Sequence, residues 1–284
     1  MKPPVAVSIT TLSIAPALLC AMLATSACSK PTPAAQPGTA AASSHALTAP
    51  PAPPAPPRPV PGVARSVSEN NDLYEFDYAY PAAAGTIAAL RDLLDKDMID
   101  KKNGLVDEAS DDRKQATAND YPFHAHSLSL DWKVVTDLPG WLSLSTIVGS
   151  YSGGAHPNYV FDTILWDKTA GQRRGVADLF TSKAALSQAI RQPFCAELNR
   201  QRAKKRGEPV PASSDSEFDA CIDPAGETVI LGSAGKQGFD RIGVLVAPYN
   251  AGPYAEGSYE VTVPVTPAVL AAVKPEYRAA FRTR

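Results

Sequence analysis

The side chains best able to do chemistry in this chain are four histidines, four cysteines and a scatter of carboxylates. His124 and His126 stand one residue apart, and on a strand that spacing puts both rings on one face. With His156 they are the raw material of a zinc site, which takes three or four nitrogen, sulfur or oxygen ligands. No further ligand follows at a diagnostic spacing and His-Glu-x-x-His is absent, so neither a metal nor a cofactor is expected. The plainer reading makes His124 and His126 polar residues at a strand end, and His156 a hydrogen-bonding partner within its own turn. His45 lies in a proline-rich stretch. Asp107, Glu108, Asp111 and Asp112 could hold calcium, but their spacing is not that of an EF-hand, and a solvated loop is expected. Ser152 lacks the Gly-x-Ser-x-Gly frame of a nucleophile elbow, and no phosphate-cradling glycine loop is present. A formal net charge of −2 makes nucleic acid a poor partner.

These groups need elements to hold them, and the joint of those elements is Tyr151-Ser152-Gly153-Gly154-Ala155-His156-Pro157-Asn158. Two adjacent glycines let the backbone reach positive φ without a Cβ penalty. Pro157 removes a donor and pushes His156 toward extended geometry. The joint therefore sets where the next strand begins and which face its aromatics take.

Cysteine usage and the amino terminus give an address. Lys2 is followed by an apolar run from Val5 to Leu23 and by Thr25-Ser26-Ala27-Cys28. Small residues before a cysteine read as a lipoprotein signal over residues 1–27, with Cys28 lipidated after cleavage. No other apolar run approaches the ~18–20 residues that span a bilayer, so anchoring rather than spanning is expected. Cys20 leaves with the signal. Cys195 and Cys221 remain as a pair in a compartment that permits a disulfide, with free thiols as the alternative. Residues 28–67 read as a linker: eleven of the 27 prolines fall between Pro31 and Pro61. Such a segment favours extended polyproline II and, at ~3.1 Å per residue, reaches up to roughly 120 Å.

Folding is expected from about Leu73. Tyr74, Phe76, Tyr78 and Tyr80 alternate along a strand, more as a core face than as a sugar-stacking platform. Pro81 opens a helix striped by Ile87, Leu90, Leu94 and Met98, with Asn103-Gly104 as its stop. Four strands follow: His124 to Val135, Trp141 to Tyr151, Tyr159 to Trp166 and a short Arg173 to Val176. Thr181 or Ser182 caps a helix kinked or restarted at Pro193. It ends in Arg200, Arg202, Lys204, Lys205 and Arg206 before Gly207, which suits the macrodipole and an αL cap, or else marks a partner-binding basic patch. Thr228 to Leu231, Phe239 to Ala247 and Tyr259 to Val263 are strand-like, and Pro267 starts a last helix.

The glycine joint, Asp178-Leu179-Phe180, and Pro248-Tyr249 with Pro253-Tyr254-Ala255-Glu256-Gly257 resemble the extracytoplasmic RsiV-like module. The elements before the joint resemble the partner domain that usually precedes it. The pair occurs in a lysozyme-sensing anti-sigma factor and ahead of the catalytic domain of a peptidoglycan deacetylase. The resemblance covers about residues 70–265 and implies an α+β fold of mainly antiparallel strands with packed helices. It divides the folded part into residues 68–150 and 151–284. It implies no reaction, since the deacetylase activity lies in a separate metal-dependent domain, and the sensor's cytoplasmic segment and membrane helix are not expected here. The expected function is a lipid-anchored, non-enzymatic binding or sensing head on the periplasmic face of the envelope. Ser29 after the lipidated cysteine favours the outer membrane of a Gram-negative cell. Its expected ligand is peptidoglycan or a lysozyme-like protein, and its candidate binding residues are Tyr151, Gly153, Gly154, His156, Asn158, Tyr249 and Tyr254. The alternatives are an enzyme on cell-wall glycan using Asp162, His156 or His126, and a structural assembly factor.

Overall fold

Alternation of aromatic and polar residues makes the strand that lies second from the edge of the amino-terminal sheet. The computed structural model describes residues 62–284 apart from positions 212 and 214; Cys28 and nearly all of the proline-rich linker lie outside them. Strand β1 (Arg65–Asn70) pairs antiparallel with β2 (Tyr74–Tyr80). Between them, Asn71 Oδ1 accepts from the backbone N–H groups of Leu73 and Tyr74, an Asx turn. Ordered chain thus begins earlier than Leu73. The strand Arg-Ser-Val-Ser-Glu-Asn has almost no apolar period to announce it, and its register comes from β2 and the turn.

Phe76, Tyr78 and Tyr80 are buried against α2 (Ala88–Asn119), which follows the short α1 (Ala82–Gly85). Gly104 does not stop this helix. A Cβ there would meet nothing, so the glycine costs only about 1 kcal/mol of propensity. Leu105, Ala109 and Ala116 continue the buried stripe of Leu90, Leu94 and Met98. The acidic group Asp107 to Asp112 therefore lies on a helix and not in a loop.

The expected strand from His124 to Val135 divides in two. β3 (His126–Asp131) runs parallel to β2, while β4 (Lys133–Asp137) pairs with the first half of β5 (Trp141–Tyr151) through a bulge between Val134 and Thr136. Trp132 plugs the break, its indole N–H donating to the Tyr78 hydroxyl at 3.1 Å. The second half of β5 pairs with β3, and β5 pairs along its length with β6 (Asn158–Asp167), followed by β7 (Gln172–Arg174). A division at 150/151 falls at the tip of the β5–β6 hairpin.

A second core joins α3 (Lys183–Arg206) and α4 (Pro267–Ala272) to a sheet ordered β10–β9–β8, made of β8 (Thr228–Gly232), β9 (Arg241–Val246) and β10 (Tyr259–Pro264). Ser182 Oγ caps α3 by accepting from Ala185 N–H, Gly207 ends it at φ 78°, and Pro193 sits inside a helix that continues through it. Cys195 and Cys221 form a disulfide, with Cα atoms 5.5 Å apart. Every strand pairing among the described residues is antiparallel except β2–β3. The fold is α+β, with mainly antiparallel sheets and packed helices.

Candidate functional site

The turn between β5 and β6 meets the turn between β9 and β10, and three aromatic rings gather where they touch. Gly153 takes φ 83°, so the tight reversal rests on it; Gly154 takes no positive φ and has open space where a Cβ would be. Of the two glycines expected to need freedom, one uses it. Pro157 then ends the turn and β6 starts at Asn158.

His156 stacks on Tyr254 with ring centroids 4.0 Å apart and planes at 24°. Tyr249 lies beside Tyr254, centroids 5.5 Å apart, and its hydroxyl is 3.4 Å from His156 Nε2. The Tyr254 hydroxyl donates to Pro157 O at 2.6 Å, and His156 Nδ1 is 2.9 Å from the same oxygen. One carbonyl with two lone pairs accommodates both. This assigns the proton to Nδ1 and leaves Nε2 to accept from Tyr249. His156 is exposed, and Tyr249 is 51% exposed. Tyr249 also holds φ 71°, a left-handed conformation that a bulky residue rarely adopts and that costs on the order of 1–3 kcal/mol.

What holds that strain lies behind the loop. Arg202 of α3 is completely buried, and its guanidinium donates to the carbonyls of Ala251, Asp219 and Ala220 and to Asn199 Oδ1, at 2.9–3.2 Å. Burial first, then the charge of Arg206, lowers its pKa from the usual arginine value. Arg206 donates to Glu256 at 2.8 Å, and Lys205 donates to the carbonyls of Glu256 and Ser258. Asn250 reaches Glu227, whose carboxyl is pushed above its ordinary range by burial. The Tyr159 hydroxyl, from β6, accepts from Ser258 N–H at 3.0 Å. Arg200 pairs with Glu197 at 2.6 Å. So four of the five cations at the end of α3 serve the fold, which removes the reading of that cluster as a free basic patch. Nothing in the sequence marks Arg202, Arg206 or Tyr159 as a support of this loop; Arg202 looks like any other residue of a basic helix end.

The remaining candidates are dispersed. Tyr151 ends β5 opposite Ser127 and makes no ring contact with the three stacked aromatics. Asn158 and Tyr254 line one cavity of about 360 Å³. His126 faces the other side of the sheet, buried, with Nε2 3.0 Å from Asp112 of α2 and its ring stacked on Phe123. Its Nδ1 has no partner among the described residues. His124 is exposed. Asp162 lies 3.4 Å from Arg173. The three groups considered for an enzyme thus keep separate partners. Among the described residues no three histidines, cysteines or carboxylates gather in a way that could hold a metal.

Residues 67–159 match the family model described as Deacetylase PdaC. The match runs from β1 through the glycine joint to the start of β6 and covers less than half of the chain. No curated protein matches. Among solved structures, a DUF3298 family protein from Pseudomonas aeruginosa PAO1 is similar at 14% identity and TM-score 0.45, over 79% of this chain and 99% of that one. A DUF3298 family member from Bacteroides fragilis NCTC 9343 is similar at 16% identity and TM-score 0.42, over 71% of this chain and 90% of that one. Neither likeness says anything of function.

Proposed function

We propose that the protein is a lipid-anchored component of the cell envelope. Its α+β head binds an envelope partner, peptidoglycan or a lysozyme-like protein, at the face made by His156, Tyr249 and Tyr254. The observation that carries this reading is the stack itself: three rings gathered at the surface, one on strained backbone, in a loop pinned from behind by a fully buried arginine. Rigid aromatic groups with polar tips suit recognition, because they offer large contact area at little entropic cost. Support for the envelope comes from the lipoprotein-type start ending at Cys28, from the disulfide, and from the deacetylase-named model matched by residues 67–159. The RsiV-like resemblance of residues 151–284 points the same way. The head then stands off the membrane on its proline-rich leash, on the periplasmic face, with the outer membrane favoured by Ser29.

The test is retention. Immobilised protein is presented with envelope extract, purified peptidoglycan and lysozyme in separate experiments. Wild type is expected to retain one of them and Tyr254→Ala to lose it. Absence of retention in all three sinks the reading. The matched model's name also supports a second reading, an enzyme on cell-wall glycan. It expects a change in muropeptides that His156→Ala or a chelator abolishes.

A further inference from the structure

We infer that the trough between the two sheets is a carbohydrate subsite continuous with the aromatic face. This rests on the proposal that the aromatic face binds, and names the chemistry of its ligand. The sheet of β1, β2, β3, β5 and β6 has two unlike faces. Phe76, Tyr78, Leu130 and Leu144 fill the side toward α2. The opposite side carries a row in register: Ser68, Asp77, Ser129, Gly149 and Tyr159, one residue from each strand. A Cβ at Gly149 would stand 2.7 Å from Ser129 Oγ, so the glycine leaves room for that hydroxyl.

Two cavities open on this face. One, of about 610 Å³, is lined by Ser66, Asp77, Ser129 and Ser145 on the large sheet and by Ile230 and Glu260 on the small one. The other is the cavity walled by Asn158 and Tyr254, and the two share Ser129 and Ile147. Each falls within the ~300–1,000 Å³ of small-molecule sites.

The chemistry of the lining selects the ligand. Asp77 is half-buried, and neither it nor the hydroxyls of Ser66, Ser129 and Ser145 has a hydrogen-bond partner among the described residues. A carboxylate accepts only, while serine both donates and accepts, so a ligand rich in hydroxyls satisfies all four. Lys133 is already paired with Asp131, which leaves Asp77 and Glu260 to repel anions. Ile147, 52% exposed, and Phe161 offer an apolar ledge for the C–H face of a pyranose ring. Tyr254 and His156 offer a stacking surface at the outer end. Both walls of the trough are sheet faces, and the large sheet lines it with the short, hydroxylated side chains of Ser66, Ser129 and Ser145.

The probe is a neutral β-1,4-linked tetramer of N-acetylglucosamine, titrated by calorimetry into the whole folded head. Wild type is expected to bind. Asp77→Ala and Ser129→Ala are each expected to weaken binding about tenfold with thermal unfolding unchanged, the size set by losing one hydrogen bond to the ligand. A sulfated tetramer is expected not to bind. If the tetramer binds and only Tyr254→Ala weakens it, the trough is not the subsite, although the aromatic face stands. If the tetramer fails to bind while envelope extract is still retained through Tyr254, the carbohydrate assignment is overturned and the binding head survives. Failure of both overturns both.

Discussion

Two groups of tyrosines in this chain meet opposite fates. Tyr78 and Tyr80 sit one strand step apart on β2, are 1% and 2% exposed, and give their hydroxyls to Asp97 and Asp95 of α2. Tyr249 and Tyr254 sit in a turn rich in glycine and proline; Tyr249 is 51% exposed, and Tyr254 is half-buried between it and His156. The residue type is the same; the backbone decides. A period of two hands every second side chain to one face, and a helix then covers it. A turn with left-handed residues has no such face, so its rings stay out unless something packs over them. In the first group the phenol is a core residue that keeps one polar partner. In the second, the phenols meet only each other, His156 and the Pro157 carbonyl of the neighbouring turn, and among the described residues no helix covers them.

The largest expected effect separates the groups by stability. Tyr78→Ala empties a packed site and strands the Trp132 indole, and is expected to cost about 3–5 kcal/mol. Tyr254→Ala loses one hydrogen bond at the surface, about 1 kcal/mol. Urea unfolding of both variants measures this, and equal losses would erase the distinction. Next in size is Arg202→Met. It removes the buried donor of the Ala251 carbonyl and the part-buried bond to Ala220, and is expected to cost on the order of 1–3 kcal/mol. It should also free the loop, so that the His156 ring resonances lose the shift imposed by Tyr254. A variant with unchanged stability and unchanged resonances would mean the exposed rings do not depend on the buried anchor.

The contrast also marks what was legible in the sequence. The alternation from Tyr74 to Tyr80 placed Phe76, Tyr78 and Tyr80 in the core, with Tyr74 half-buried at the strand's start, and the cap at Ser182 with Gly207 bracketed α3, because these signals are local. The end of α2 was not legible: Gly104 looks like a stop until the stripe is followed on to Leu105, Ala109 and Ala116. Strand β1 was hidden because an edge strand needs only a partner. The parallel β2–β3 pairing and the break at Trp132 are products of tertiary packing that no short window contains. At the site, the glycine joint and both tyrosines were visible as turn chemistry, but their meeting was not, since 93 residues separate Tyr249 from His156. Arg202 could not be told from its neighbours, because burial of one cation among five depends on which way α3 faces.

A smaller effect tests the joint that presents His156. Gly153→Val forces a β-branched residue to φ 83°, and is expected to cost about 1–2 kcal/mol. Gly154→Val meets open space at ordinary φ and is expected to change stability little. The pair is compared by thermal unfolding; reversed order would show that the turn has a different geometry in solution.

The smallest effect sets the two groups at opposite ends of the pH scale. Burial alone would raise the Glu256 carboxyl above its ordinary 4.5, but hydrogen bonds from Arg206 and Tyr259 outweigh burial and hold it lower. A carboxyl depressed in the folded state stabilises above its unfolded value, and that contribution is lost as pH falls through the folded one. The loop bearing Tyr249 and Tyr254 is therefore expected to loosen in acid, below about pH 4.5. Tyr80 runs the other way: burial, then its bond to Asp95, pushes it up to about 12 from 10.0. Its contribution is complete below the unfolded value and is lost as pH rises from about 10 toward the folded one. Unfolding temperatures of wild type, Glu256→Gln and Tyr80→Phe across the range measure both limbs. Glu256→Gln should flatten the acid limb alone and Tyr80→Phe should flatten part of the alkaline limb alone. If Glu256→Gln leaves the acid limb as steep as before, the exposed rings are held by contacts other than the ion pair beneath them.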